Sequence, residues 1–174
     1  MKQWEKIIAT ACVGTGLLWM GTVLPAQAAP AAGHFANGAM PHRRSFLAGA
    51  FLDKGIAAYK SGNYTLALQY FHDADEHGHS KASRYIGLCY ENGYGVEKNL
   101  KTAVQWYTKA MQRGDVTGTY YLGHMYEDGL GVAVDYTRAR EMYEKASYRS
   151  DIISAPAQNA LGRMYEKGEG VPAN

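Results

Sequence analysis

Cysteine and net charge are both scarce in this sequence. Only Cys12 and Cys89 occur in 174 residues, and Cys12 falls in an N-terminal segment that reads as a leader to be removed. A single remaining thiol excludes an internal disulfide, so the fold has to be held by packing. Removing Lys2, Lys6 and Glu5 with that leader leaves 16 basic and 15 acidic side chains. So even a balance gives no electrostatic reason to expect nucleic acid or an anionic membrane surface as partner. Catalytic signatures are missing as well. The chain has no His-Glu-x-x-His, no Walker loop and no nucleophile–base pair, and nothing in it implies a cofactor.

What is present begins with an export signal. Lys2 and Lys6 precede the apolar stretch IIATACVGTGLLWMGTVLPAQA, which closes on Ala26-Gln27-Ala28. A basic start, an apolar middle and an A-x-A end define a secretory signal over residues 1–28, cut between Ala28 and Ala29. The apolar part is long for a cleaved signal, so an uncleaved inner-membrane anchor is the alternative. Too few apolar residues precede Cys12 for a lipoprotein site. A periplasmic or secreted protein is expected. Residues 29–44, rich in alanine, glycine and proline without periodicity, read as a flexible leader.

The strongest signal is self-similarity. ENGYGV from Glu91 returns as EDGLGV from Glu127 and as EKGEGV from Glu166. The glycines Gly93, Gly129 and Gly168 are spaced by 36 and then 39 residues. Upstream, YIGLCYENG, YLGHMYEDG and ALGRMYEKG align; downstream, NLKTAVQWYTKAMQRGD answers DYTRAREMYEKASYRSD. A period in the thirties indicates stacked helical units. In each unit the first helix carries an apolar face, Ala82, Ile86, Cys89 and Tyr90 in one copy. The second starts at an N-cap, Asn99 or Asp135, and is expected to bury Ala103, Trp106, Tyr107 and Ala110, or Ala139, Met142, Tyr143 and Ala146. Gly93, Gly129 and Gly168 then fall where a helix wants a left-handed terminator, and Gly95, Gly131 and Gly170 turn the chain back. The residue between the glycines is Tyr94, Leu130 or Glu169, so no side chain is required there, and no lysine or serine opens the next helix. The turn is punctuation and holds no phosphate.

The pattern A-x-x-x-L-G-x-x-Y-x-x-G-x-G-V, followed by A-x-x-W-Y-x-K-A, closely resembles the Sel1-like repeat, a relative of the tetratricopeptide repeat. Two units match almost throughout, at 80–114 and 116–150, and a third starts near Pro156. Departures are the longer second spacing, caused by SDIISAP, and Met142 where the pattern prefers tryptophan. The resemblance implies an all-α fold, an α/α solenoid of helix pairs. The expected divisions are repeats at 80–115 and 116–154 and an incomplete repeat at 155–174. Residues 45–79 lack the glycine turn and look like a tetratricopeptide-type unit, with Ala58, Tyr59, Gly62, Tyr64, Ala67, Phe71 and Ala74 at its usual places. Adding the second spacing to Asp135 puts Asn174 at the cap position of a further helix. The first helix of the third unit is thus expected either to continue in a longer record or to self-associate with another chain.

Three candidates for chemistry have plainer readings. Glu91, Glu127 and Glu166 recur in every unit, so they serve the unit; near helix C-termini they are expected to be solvated. Cys89 aligns with Met125 and Met164 and reads as a small buried hydrophobe. His72, Asp75, Glu76, His77 and His79 could ligate a metal, but a polar helix terminus at the negative end of the dipole explains them too. Positions that vary while the frame repeats are the natural specificity determinants: Arg84, Leu88, Tyr120, His124, Asn159 and Arg163. Their mixed aromatic, basic and apolar character suits a protein or peptide on the concave face. The resemblance implies a non-catalytic adaptor or scaffold of the cell envelope. Two alternatives stay open. Secreted cysteine-rich members are linked to β-lactam hydrolysis, but with a cysteine pair per repeat, and this chain has no Ser-x-x-Lys; secretion-system immunity is the other.

Overall fold

The computed structural model describes residues 41–148 and 154–170; the signal, its cleavage site and most of the leader lie outside them. The described residues form seven helices and no strands: α1 (Pro41–Lys60), α2 (Tyr64–Glu76), α3 (Ala82–Asn92), α4 (Leu100–Gln112), α5 (Val116–Asp128), α6 (Tyr136–Ser147) and α7 (Ala155–Lys167). α1 packs on α2, α3 on α4 and α5 on α6, and α7 follows against α6. Almost every helix touches only its neighbours in sequence, which makes the array an all-α solenoid. α1 begins at Pro41, inside the stretch read as leader. Proline suits a first helical position because the N–H it lacks would have no partner there.

The helix ends follow from side-chain chemistry. Asn63, Asn99 and Asp135 open α2, α4 and α6 by accepting from the backbone N–H of Leu66, Thr102 and Arg138 at 3.3, 3.0 and 2.9 Å. Gly93, Gly129 and Gly168 end α3, α5 and α7 in the left-handed region, at φ 77, 69 and 72°. Two residues on, Gly95 and Gly131 have no room for a side chain. A Cβ there would stand 2.5 Å from the backbone of Tyr64 or Leu100, in the first turn of the preceding unit's second helix. Gly170 lies as close to Tyr136. The glycine turn therefore docks each unit onto the one before it.

Inside each pair one arrangement recurs. Gly87 on α3 faces the ring of Tyr107 on α4, whose hydroxyl donates to Glu91 at 2.5 Å. Gly123, Tyr143 and Glu127 repeat it between α5 and α6, again at 2.5 Å. Both rings are fully buried. Burial, and then the adjacent carboxylate, push both phenols well above their ordinary value, so they stay neutral donors. Glu91 and Glu127 are thus half-buried staples between the two helices of a unit, which corrects their reading as solvated.

The core is continuous with the repeat. Cys89, Met125 and Met164 are 0, 1 and 0% exposed, equivalent positions in three successive core clusters. Ala103, Ala110, Ala139 and Ala146 are all buried, letting helix backbones approach. Trp106 is only half-buried, unlike the expectation: its ring meets His72 edge-on at 5.3 Å and the Lys109 ammonium at 4.7 Å. Polar ties reinforce the packing between units. Asp75 on α2 accepts from Ser83 on α3 at 2.6 Å, from Lys109 on α4 at 2.6 Å and from Arg113, which caps the end of α4, at 2.5 Å.

Candidate functional site

The variable positions fall in two rows, one on each side of the helical glycine Gly87, Gly123 or Gly162. Arg84, Tyr120 and Asn159 form the first row on α3, α5 and α7; Leu88, His124 and Arg163 form the second, one helical turn further on. Arg163 is half exposed and lies 3.9 Å from Glu127, which connects the rows on α5 and α7. His124 Nε2 sits 3.5 Å from Asp128, with both side chains open to water. Asn159 is exposed and Leu88 half-buried beside the middle core cluster.

Two of these side chains have duties inside the fold. Arg84 donates to Asp115 at 3.1 Å, its own side chain 13% exposed and its guanidinium over the Tyr85 ring. Burial raises the Asp115 carboxyl above its ordinary value and the Arg84 charge opposes that. A carboxylate that deep needs its counterion, so Arg84 is held within the array by this pair. The signal was an arginine and an aspartate 31 residues apart, which no periodicity connects. Tyr120 is half-buried, its ring 5.6 Å from those of Tyr121 and Tyr143. It presents one edge while bracing α5 on α6.

The other candidates are dispersed. His77 Nδ1 is 2.8 Å from the Asp73 carbonyl, His79 Nδ1 accepts from the Lys81 N–H at 3.2 Å, His72 faces Trp106, and Asp75 is taken up by its cations. No three His, Cys, Asp or Glu side chains among the described residues stand together as a metal site would require. Burial pushes the Cys89 thiol up to about 11, so it is neither a thiolate nor accessible. Among the described residues no helix is long and apolar enough to cross a membrane.

Paired helices, left-handed glycine stops and turns that dock on the preceding unit define a helical-repeat protein. The chain belongs to the Sel1 repeat family, whose model matches residues 46–79, 80–115, 117–151 and 155–174. The first match includes the helix pair set apart in sequence as tetratricopeptide-like. A Sel1 repeat protein from Oxalobacter formigenes superposes with a TM-score of 0.64 at 32% identity, over 73% of this chain and 53% of its own. DAP3-binding cell death enhancer 1 of Rattus norvegicus is 43% identical over 51 residues, 29% of this chain and 10% of that protein. HcpE of Helicobacter pylori, named as a candidate beta-lactamase, is 47% identical over 47 residues, 27% of this chain and 13% of its own length. The chain thus spans a small part of either curated relative.

Proposed function

We propose that this protein is a non-catalytic scaffold of the cell envelope that binds a protein or peptide across the first helices of its repeats. One observation carries the reading. Repeated small and apolar positions such as Cys89, Met125 and Met164 are buried in the frame, whereas Leu88, Tyr120, His124, Asn159 and Arg163 vary and are half-buried or exposed on successive first helices. A face built this way changes its chemistry from unit to unit without changing its geometry, which suits an extended partner. Arg84 supports the face from beneath by neutralising Asp115. The basic and apolar N-terminus supports export, with the scaffold working in the periplasm or outside the cell.

His124→Ala is the cleaner probe, since its ion pair with Asp128 lies within α5, whereas Arg163→Ala also removes a 3.9 Å contact with Glu127 on that helix. Each should weaken capture of the periplasmic partner by about 1 kcal/mol or more while the helical dichroism stays unchanged. Unchanged capture by both would move the site off this face. N-terminal sequencing of the exported protein should begin Ala29-Pro30-Ala31; Met1 in the membrane fraction would mean an anchor instead. The likeness to HcpE favours one rival, a β-lactam hydrolase. That activity needs a nucleophile, and neither the buried Cys89 nor any Ser-x-x-Lys provides one. Turnover of a chromogenic β-lactam by the pure protein would revive it.

A further inference from the structure

Each glycine turn docks on the unit before it, and the residues at the docking point differ from junction to junction. Leu130 precedes the glycine that docks at Leu100, and Glu169 precedes the one that docks at Tyr136. At the first junction the two positions are Tyr94 and Tyr64. Their rings stack with centroids 4.4 Å apart and planes 14° from parallel, at the close end of the range for aromatic pairs. The backbone fixes both partners. The Tyr94 N–H donates to the Cys89 carbonyl at 2.8 Å, Gly95 lies against the Tyr64 backbone, and Tyr64 opens α2 beside its Asn63 cap. Tyr59 meets both rings edge-on, at 5.3 Å from Tyr64 and 5.8 Å from Tyr94. Tyr64 and Tyr94 are only half-buried, so a small oxidant in solution reaches them. Tyr107 and Tyr121 also stack, at 5.4 Å, but Tyr107 is fully buried and its hydroxyl is bound to Glu91.

We infer that Tyr64 and Tyr94 are a site of oxidative cross-linking, where a one-electron oxidant of the peroxidase or persulfate class joins the two rings as dityrosine. Each phenol gives up one electron and one proton, leaving a phenoxyl radical with spin on the carbons beside its oxygen. The two radicals pair to form one carbon–carbon bond between those carbons. Each bonded carbon then loses its proton while its oxygen is reprotonated, which restores two phenols. In balance, two electrons pass to the oxidant, two protons pass to water, and the protein loses two hydrogens. Stacking supplies the encounter in advance, so the coupling becomes a step within one molecule. The bond ties the first helix pair to the next across residues 30 apart in sequence. Closing that loop restricts the unfolded chain and so stabilises the fold, in a protein whose described cysteine is buried and free. The site lies at a unit junction and away from the first-helix rows, so it stands or falls apart from the scaffold reading.

Brief illumination of the full chain with a ruthenium trisbipyridyl complex and persulfate, followed by tryptic digestion and fragment mass spectrometry, provides the test. A monomeric product with biphenol fluorescence is expected, its Tyr64 and Tyr94 joined with the loss of two hydrogens. The yield should be unchanged on dilution, and the linked protein should melt at a higher temperature than the unlinked one. Tyr64→Phe and Tyr94→Phe should each remove the link and keep the helical dichroism, because phenylalanine preserves the stack. Tyr70→Phe and Tyr90→Phe, which fall on the same tryptic fragments, should leave it in place. Tyr148 is 91% exposed and reports that the oxidant has acted. Oxidised Tyr148 without a bond between Tyr64 and Tyr94 would overturn the proposal. So would a bond found only in covalent dimers, coupling of Tyr107 to Tyr121 in its place, or a linked protein whose melting temperature has not risen.

Discussion

One substitution, made at three equivalent glycines, should have opposite effects on stability. Replacing a helical glycine by alanine gains about 1 kcal/mol by reducing the freedom of the unfolded chain. At Gly162 nothing described opposes the new methyl, so most of that gain should appear. At Gly87 and Gly123 the methyl would stand 2.6 and 2.7 Å from the rings of Tyr107 and Tyr143. Carbon atoms attract best at about 3.5–4.0 Å, so each contact is about 1 Å too short. Neither ring can retreat, since both are fully buried and held by a carboxylate at the hydroxyl. Overpacking of this kind costs about 1–3 kcal/mol, which leaves a net loss of up to about 2 kcal/mol after the propensity gain. At roughly 4 °C per kcal/mol for a domain of this size, melts followed by far-UV dichroism should separate the variants clearly. Gly162→Ala should melt a few degrees above the parent, and Gly87→Ala and Gly123→Ala below it. Three equal increases would refute the close ring contacts at Gly87 and Gly123.

Two further tests concern charge. Tyr107 and Tyr143 have folded-state values raised above the ordinary 10.0, so stability is full below pH 10 and falls as pH rises beyond it; each contributes about 1.4 kcal/mol per pH unit. Tyr143→Phe should make alkaline denaturation less steep, and phenolate absorbance should show buried phenols ionising only as the helices melt; early titration with the fold intact would contradict this. Burial opposes ionisation of Asp75, but hydrogen bonds from Lys109 and Ser83 and the Arg113 charge outweigh it and hold the carboxyl below its ordinary 3.8. Its contribution is therefore present above that value and lost as pH falls through the depressed one. Asp75→Asn should cost about 1–3 kcal/mol at neutral pH and flatten the acid limb; an unchanged acid melt would remove Asp75 from the tie between units.

The parts of the fold that repeat side chain for side chain were readable in the sequence. Cys89, Met125 and Met164 share a register, so one apolar period identifies a buried position in each of three units. Asn99 and Asp135 stand before segments of helical apolar period, as helix caps do. Contacts that span two elements were not readable. Glu91 and Glu127 looked like solvated helix ends because their tyrosines lie 16 residues on, in the next helix. The recurrence of both residue types at that separation was the available clue. Trp106 belongs to an apolar pattern, yet its outward edge meets His72, whose position depends on how α2 lies beside α4. For the candidate face, variability picked out the positions, but only three-dimensional packing separates exposed Arg163 from Arg84, which is paired with Asp115.

Site-specific photocrosslinking in the living cell tests the scaffold reading most directly. A photoreactive phenylalanine analogue placed at His124 or Asn159 should join this protein to one discrete partner, because both positions lie on the first-helix rows. The same probe at Gln105 or Glu141, exposed positions of the second helices, should not. Crosslinks confined to Gln105 and Glu141, or none at His124 and Asn159 in cells where the protein is exported, would contradict a partner on the first helices.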